Sequence, residues 1–154
     1  MKKLMTIVKI LMFSTLIISC TFVHSQGTLK ELDKDYGFRN AKFEMPITSF
    51  KNLKEYSIEP TTYIITTDDL KLDGYDLEYI QYGFTEDYER LSDITIQPDG
   101  AVNCAGVLKY FQKIYGEGQK IDGIEGEMWV GEKATLFYGG DFFVIQCNKY
   151  LNLI

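Results

Sequence analysis

One segment of the chain, residues 102–115, has the apolar spacing of an amphipathic helix, and strand-like sequence flanks it on both sides. Val107, Leu108 and Phe111 belong to its apolar stripe, whose recurrence at i, i+3, i+4 and i+7 is typical of a helix with one buried face. Gly116 marks the predicted end of this helix. A single helix of this kind packs on one face of a sheet, so the segment constrains the chain to an α+β fold.

Six further segments have the alternation, or the β-branched and aromatic composition, of strands. They cover residues 61–67, 75–84, 91–97, 127–130, 134–138 and 142–148. We therefore predict an antiparallel sheet of about six strands, built from two three-stranded meanders, with the helix packed on one face. Two short helices are expected nearer the N-terminus. One begins at Thr28 and is broken at Gly37, and the other covers residues 45–53.

The first 25 residues have the order of a secretory signal peptide. Residues 1–9 carry three lysines, residues 10–20 are apolar, and Val23 and Ser25 occupy the −3 and −1 positions of a cleavage site. The apolar run is shorter than the roughly 20 residues that a membrane-spanning helix needs. Residues 17–20 also resemble a bacterial lipobox, so acylation of Cys20 is the alternative route. Either route predicts an extracytoplasmic protein, secreted, periplasmic or lipid-anchored, with one α+β domain over residues 26–154.

Loss of this leader would change the chemistry open to the chain. His24 is the only histidine, so histidine-based acid–base catalysis and histidine metal sites would disappear with it. The leader holds three lysines and no acidic residue, so the net charge of −6 would become −9. Such a chain is repelled by nucleic acids and anionic membranes. A basic extracytoplasmic protein, a glycan or a peptide is the better-matched partner.

Two cysteines, Cys104 and Cys147, remain after the leader, and one disulfide between them would suit an oxidising compartment. Cys104 lies on the apolar stripe of the predicted helix, while Cys147 shares a strand face with Phe143 and Ile145. If that strand face lies beneath the helix, the two sulfurs are either bridged or present as buried thiols. A Cα separation above about 7 Å would exclude the bridge. Two thiols without histidine make a poor zinc site, so no transition metal is expected.

Acidic residues concentrate in the predicted turns. The densest group is Asp68, Asp69, Asp73 and Asp76, whose oxygens suit calcium but lack the spacing of an EF-hand loop. Pairs such as Asp33/Asp35 and Glu125/Glu127 could hydrolyse a glycosidic bond if two carboxylates converged in one pocket with apolar walls. We interpret these acids as solvated turn charges and assign no catalytic, metal-binding or cofactor-binding residue.

All 11 tyrosines lie after residue 25, and several fall on predicted strands. Simple alternation in the strand at 75–84 places Tyr75, Leu77 and Tyr79 on one face and Ile80 and Tyr82 on the other. One face must receive the helix, so the other would present tyrosines to solvent. Exposed tyrosine on a rigid sheet is a common binding surface, and Tyr75 and Tyr79 are the predicted binding residues. The alternative is that these tyrosines are half-buried strand residues.

Five short motifs follow one another along most of the chain after the leader. They are Gly37-Phe38-Arg39-x-x-Lys42-Phe43 with Pro46 and Phe50-Lys51-x-Leu53; Tyr82-Gly83-Phe84; Leu91-x-x-Ile94-x-Ile96; Leu108-x-x-x-Gln112-Lys113-x-Tyr115-Gly116-x-Gly118; and Trp129-x-Gly131-x-Lys133. In this order they resemble a family of small exported bacterial domains whose function is uncharacterised. The resemblance implies a compact α+β domain and supplies no catalytic or binding residue.

Together these features favour a non-enzymatic, exported module that binds a protein or a neutral ligand, and its acidity favours a basic protein partner. Two alternatives stay open. One is a carboxylate-based glycan hydrolase. The other is a structural component of the envelope, which acylation at Cys20 would favour.

We expect the exported protein to begin at Gln26, because the apolar character continues to Val23 and the −3 and −1 positions fit cleavage after Ser25. N-terminal sequencing of the exported form tests this expectation. A diacylated terminus at Cys20 would show that the lipoprotein route is used instead.

Overall fold

A computed structural model describes residues 26–56, 61–87, 89–120 and 126–151. The predicted leader and Cys20 lie outside the described residues. The architecture is α+β, with two α-helices and a nine-stranded sheet whose described pairings are all antiparallel. Within the described part of the chain, neither helix has the length and apolar character needed to cross a membrane.

The helices are α1 (Gln26–Asp35) and α2 (Gly100–Tyr115), and a 3₁₀ turn lies at Ile47–Ser49. The strands are β1 (Gly37–Phe38), β2 (Ala41–Lys42), β3 (Leu53–Glu55), β4 (Thr62–Ile65), β5 (Lys71–Leu72), β6 (Tyr75–Phe84), β7 (Leu91–Pro98), β8 (Gln119–Lys120), β9 (Glu127–Val130), β10 (Ala134–Tyr138) and β11 (Phe143–Cys147).

The sheet has the strand order β3-β4-β6-β7-β11-β10-β9-β8, and β5 pairs with β6 outside this path. β1 and β2 form a separate hairpin. The six predicted strands are all present and are joined by the pairing of β7 with β11. The number six is nevertheless wrong, because β3, β5 and β8 extend the sheet to nine strands. These three strands have only two or three residues each, too few for a periodic pattern.

The helix predicted over residues 45–53 is also wrong. The backbone of this segment forms hydrogen bonds to the start of β7 instead of the bonds of a helix. The Glu44 N–H donates to the Leu91 carbonyl at 3.0 Å, and the Leu91 N–H donates to the Met45 carbonyl at 3.0 Å. Only a single 3₁₀ turn forms in this segment. Asn52 then adopts a left-handed conformation, with φ of 60°, which directs the chain into β3.

Helix α2 packs its predicted face on the sheet. Val107 and Phe111 are fully buried, and the Phe111 ring lies 5.2 Å from the ring of Phe143 on β11. Leu108, the third residue predicted to be buried, is half-buried at the border of this contact. Val102, on the opposite side of the helix, is 84% exposed. The structure therefore confirms that the helix covers one face of an antiparallel sheet.

A bulge in β6 changes which side chains share a face. Leu77 pairs with Pro98 and Tyr79 pairs with Gln97, so Glu78 is an extra residue on the β6 side. Leu77 consequently lies on the same, buried face as Ile80, Tyr82 and Phe84, whereas Tyr79 lies on the opposite face. The predicted grouping of Tyr75, Leu77 and Tyr79 on one face is wrong for this reason.

Polar contacts attach the N-terminal helix to the turn before β10 and to the end of helix α2. The Asp33 carboxylate accepts backbone N–H bonds from Glu132, Lys133 and Ala134 at 2.7–3.1 Å. Asp35 accepts a hydrogen bond from the Tyr115 hydroxyl at 2.8 Å. Both aspartates of this predicted carboxylate pair therefore serve as structural acceptors.

We expect Phe111→Ala to lower the free energy of unfolding by about 3–5 kcal/mol, because it removes a buried ring that packs on Phe143. Denaturant unfolding measures the change. Val102→Ala is the matched control on the exposed side of the same helix and is expected to change stability by no more than about 0.5 kcal/mol. Equal small effects of both substitutions would contradict the packing described here.

Candidate functional site

The face of the sheet opposite α2 is the first candidate binding surface. The register aligns one row of side chains that ends at Lys54 on β3 and Gln119 on β8. Its six central members are uncharged, and they are Ile64, Gln81, Thr95, Val144, Phe137 and Met128. All six are half-buried by their neighbours on the sheet. We call this row, together with the aromatic residues that flank it, the open face. Asp93 lies in the adjacent row, against Gly83 and beside Gln146.

Two aromatic pairs lie at one end of the open face, and one of them includes Phe137 of the row. The rings of Tyr56 and Tyr79 lie 4.9 Å apart, and those of Phe137 and Phe142 lie 5.9 Å apart. Gln97 pairs with Tyr79, and the register of β7 with β11 places Phe142 on the other side of Gln97. Tyr79 and Phe142 are thus two strand spacings, or about 10 Å, apart.

The two predicted binding tyrosines are separated by the sheet. Tyr79 lies on the open face, where burial raises the pKa of its hydroxyl and its ring contacts Tyr56. Tyr75 packs beneath helix α2, where Gly106 leaves room for it: a Cβ atom at Gly106 would lie 2.1 Å from the Tyr75 ring. Tyr75 and Tyr79 therefore do not form a common surface.

A cavity of about 560 Å³ between the β1–β2 hairpin and the end of the sheet is the second candidate site. We call it the hairpin pocket. Its apolar wall is formed by Phe38, Ala41, Met45, Phe50, Ile65 and Tyr82, and its charged residues are Arg39, Lys51, Asp68 and Asp69. Ser49, Thr67, Asn40 and Asn52 complete the lining. A volume of this size is typical of a small-molecule site.

Asp68 is the acid nearest the apolar wall of the hairpin pocket. It accepts a hydrogen bond from the Tyr82 hydroxyl at 2.8 Å. Burial raises the pKa of the Asp68 carboxyl, and the Tyr82 hydrogen bond and the nearby Arg39 charge counteract only part of that effect. None of the salt bridges formed within the described ranges involves Asp68. The pocket thus contains a half-buried carboxylate without an ion-pair partner.

The aspartates weighed as calcium ligands serve separate local contacts. Asp69 accepts the backbone N–H of Lys71, and Asp76 forms a salt bridge with the Lys71 side chain. Asp73 occupies a left-handed position, with φ of 51°, in the turn between β5 and β6. Across the part of the chain that the structure describes, no three His, Cys, Asp or Glu side chains are grouped so as to hold a metal ion.

The two cysteines are buried and free, and they contact different parts of the molecule. The Cys104 thiol donates to the Gly140 carbonyl at 3.6 Å, in the turn before β11. The Cys147 sulfur lies 3.1 Å from the Tyr36 hydroxyl, at the other end of β11. Since β11 extends about 13 Å from its first to its last residue, the two sulfurs lie too far apart to form a disulfide in this structure.

Glu127 is buried and stabilises the turn that follows α2. It accepts hydrogen bonds from the side chains of Gln112 and Lys120 and from the backbone N–H of Gly118. Burial by itself would raise the pKa of the Glu127 carboxyl, but these donors outweigh burial and lower it. Its predicted partner in a carboxylate pair, Glu125, lies outside the described residues.

The chain matches no family model, no curated protein and no solved structure in the comparisons made with them.

Tyr79 is a binding residue that the sequence predicts, and Asp68 and Asp69 are interpreted from the sequence as turn charges. Arg39 and Lys51 are not singled out as site residues. The pocket brings residues 38–52 together with residues 65–69 and Tyr82, and no periodic pattern reports contacts between such distant segments. One signal was available: Arg39 and Lys51 both belong to the first of the five motifs.

We expect Glu127→Gln to lower the free energy of unfolding at neutral pH by about 1–3 kcal/mol, because the donors around this buried side chain lose a charged acceptor. The pKa of Glu127 is lowered in the folded protein, so its stabilisation is complete above the usual glutamate pKa of 4.5 and is lost as pH falls through the folded-state pKa. The difference between variant and wild type should therefore shrink in acid. Denaturant unfolding across pH measures this, with the exposed Glu132→Gln as control. A difference that persists unchanged in acid would contradict this role.

Proposed function

We propose that this protein is a non-enzymatic, exported binding module that binds a neutral glycan on the open face. The observation that carries the proposal is the uncharged row across six strands, flanked by the Tyr56–Tyr79 and Phe137–Phe142 pairs. Export is part of the proposal and rests on the leader-like residues 1–25.

The aromatic pairs suit a ligand with flat apolar patches and many hydroxyl groups. Sugar rings stack on aromatic side chains through their C–H faces, and nearby amides supply hydrogen bonds to hydroxyls. Gln97 lies between Tyr79 and Phe142, where its amide nitrogen donates to the Pro98 and Asp141 carbonyls and its amide oxygen is an acceptor. Gln81 supplies a second amide two residues from Tyr79 on β6. The separation of about 10 Å between Tyr79 and Phe142 allows one extended ligand to contact both.

Charge favours a neutral ligand over a basic protein at this surface. A chain with net charge −6 repels anionic ligands at long range. The row itself offers no acidic side chain to pair with a basic partner, and it ends at the cationic Lys54 on β3. Asp93 lies beside the row on β7. The expected affinity for a basic protein is therefore a property of the acidic loops and not of the open face.

A glycan hydrolase remains a second candidate function because Asp68 and Asp69 both line the hairpin pocket, which has an apolar wall. The raised pKa of Asp68 suits a general acid. Against this, Asp69 is engaged by the backbone N–H of its neighbour Lys71, and both acids come from the same turn. Two carboxylates on one side of a pocket do not flank a bond, which is why we favour the binding module.

We expect the purified protein to bind at least one member of a panel of neutral polysaccharides, and Tyr79→Ala to weaken that binding about tenfold, or 1.4 kcal/mol. Affinity electrophoresis and calorimetry measure it. Tyr75→Ala removes the same kind of ring from the covered face and is the matched control. Equal weakening by both variants, or binding confined to peptides, would contradict glycan binding on the open face. Release of reducing sugar that Asp68→Asn abolishes would establish the hydrolase instead.

A further inference from the structure

An arginine occupies a backbone position in the hairpin pocket that ordinarily favours glycine. Arg39 has φ of 53° and is the first residue of the two-residue turn between β1 and β2. Hairpin turns of this length place glycine, asparagine or aspartate at a left-handed position, because side chains with a Cβ atom are strained there. The strain is tolerated, and its result is a guanidinium group at the rim of the cavity.

Arg39 retains capacity to bind an anion. Two of its nitrogens donate to the backbone carbonyls of Asp69 and Lys71, which fixes the orientation of the guanidinium. A guanidinium has five N–H donors, so others remain for a ligand carboxylate. Lys51, on the same pocket, forms no salt bridge with any residue that the structure describes.

The opposite charge is also present in the hairpin pocket, on Asp68, which lies near the Arg39 charge. Asp68 has one oxygen bonded to the Tyr82 hydroxyl and no salt-bridge partner within the described ranges. A half-buried carboxylate that forms no salt bridge is stabilised by a cationic ligand group that pairs with it. The rings of Phe50 and Tyr82, whose centroids are 6.0 Å apart, belong to the same lining and form its apolar floor.

We propose that the hairpin pocket binds a free α-amino acid with an apolar side chain. Its carboxylate would pair with Arg39 and Lys51, its ammonium group with Asp68, and its side chain with the floor. A ligand with only one charge would leave either the cations Arg39 and Lys51 or the carboxylate Asp68 without a ligand group to pair with. This site is separate from the open face, so its test leaves the glycan proposal unaffected.

Calorimetry of the purified protein with L-phenylalanine, phenethylamine and 3-phenylpropanoate tests the proposal, with L-leucine and L-methionine as further zwitterions. We expect the amino acid to bind at least about tenfold more tightly than either single-charge analogue. The proposal is overturned if an analogue binds as well as L-phenylalanine, or if none of the three amino acids binds at millimolar concentration.

Two variants then assign the charges. Arg39→Gly relieves the left-handed strain and should weaken L-phenylalanine binding at least tenfold while leaving phenethylamine binding unchanged. Asp68→Asn keeps an acceptor for Tyr82 and should weaken binding of L-phenylalanine and phenethylamine while leaving 3-phenylpropanoate binding unchanged. Asp73→Gly is the matched control, because it relieves the same kind of strain outside the pocket and should leave all binding unchanged. Unaltered amino-acid binding in Arg39→Gly or Asp68→Asn would refute the assignment.

Discussion

The packing of Phe111 of helix α2 on Phe143 of β11 fixes which face of the sheet is covered. The N-terminal segment joins the same side, where Leu32, Phe38 and Phe43 are buried with the helix. All described helical cover therefore lies on one face. The other face carries side chains from the strands alone, and a solvated sheet face is ordinarily polar, so the packing of the helices does not account for its uncharged residues.

Much of the fold could be predicted because its longer elements bury one face and so carry a period. The bounds of β6, β9 and β10 agree with the sequence prediction residue by residue, and α2 begins two residues early. The elements that were missed lack this property. β5 and β8 have two residues each. The segment at 44–47 takes its structure from hydrogen bonds to Glu89 and Leu91, and no local sequence pattern encodes such distant contacts.

The candidate sites also differ in whether a local sequence pattern reports their residues. Tyr79 could be identified because strand composition signals it directly, whereas its separation from Tyr75 depends on a bulge that no local signal marks. The lining of the hairpin pocket includes Arg39, which lies in a left-handed turn, and Asp68. These two residues come from segments about 30 residues apart in the sequence. Sequence analysis treated Asp68 as a turn charge. Only the tertiary contact with Tyr82 shows that it is half-buried.

The bulge at Glu78 shifts the alternation of side chains along β6 by one residue. Upstream of it, odd-numbered side chains face helix α2, and downstream of it even-numbered ones do. Deleting this one residue would require either the Tyr75–Leu77 end or the Ile80–Phe84 end to exchange its buried and solvent-facing side chains. Evolution in this strand is therefore expected to tolerate substitutions at Glu78 far more readily than a change in strand length.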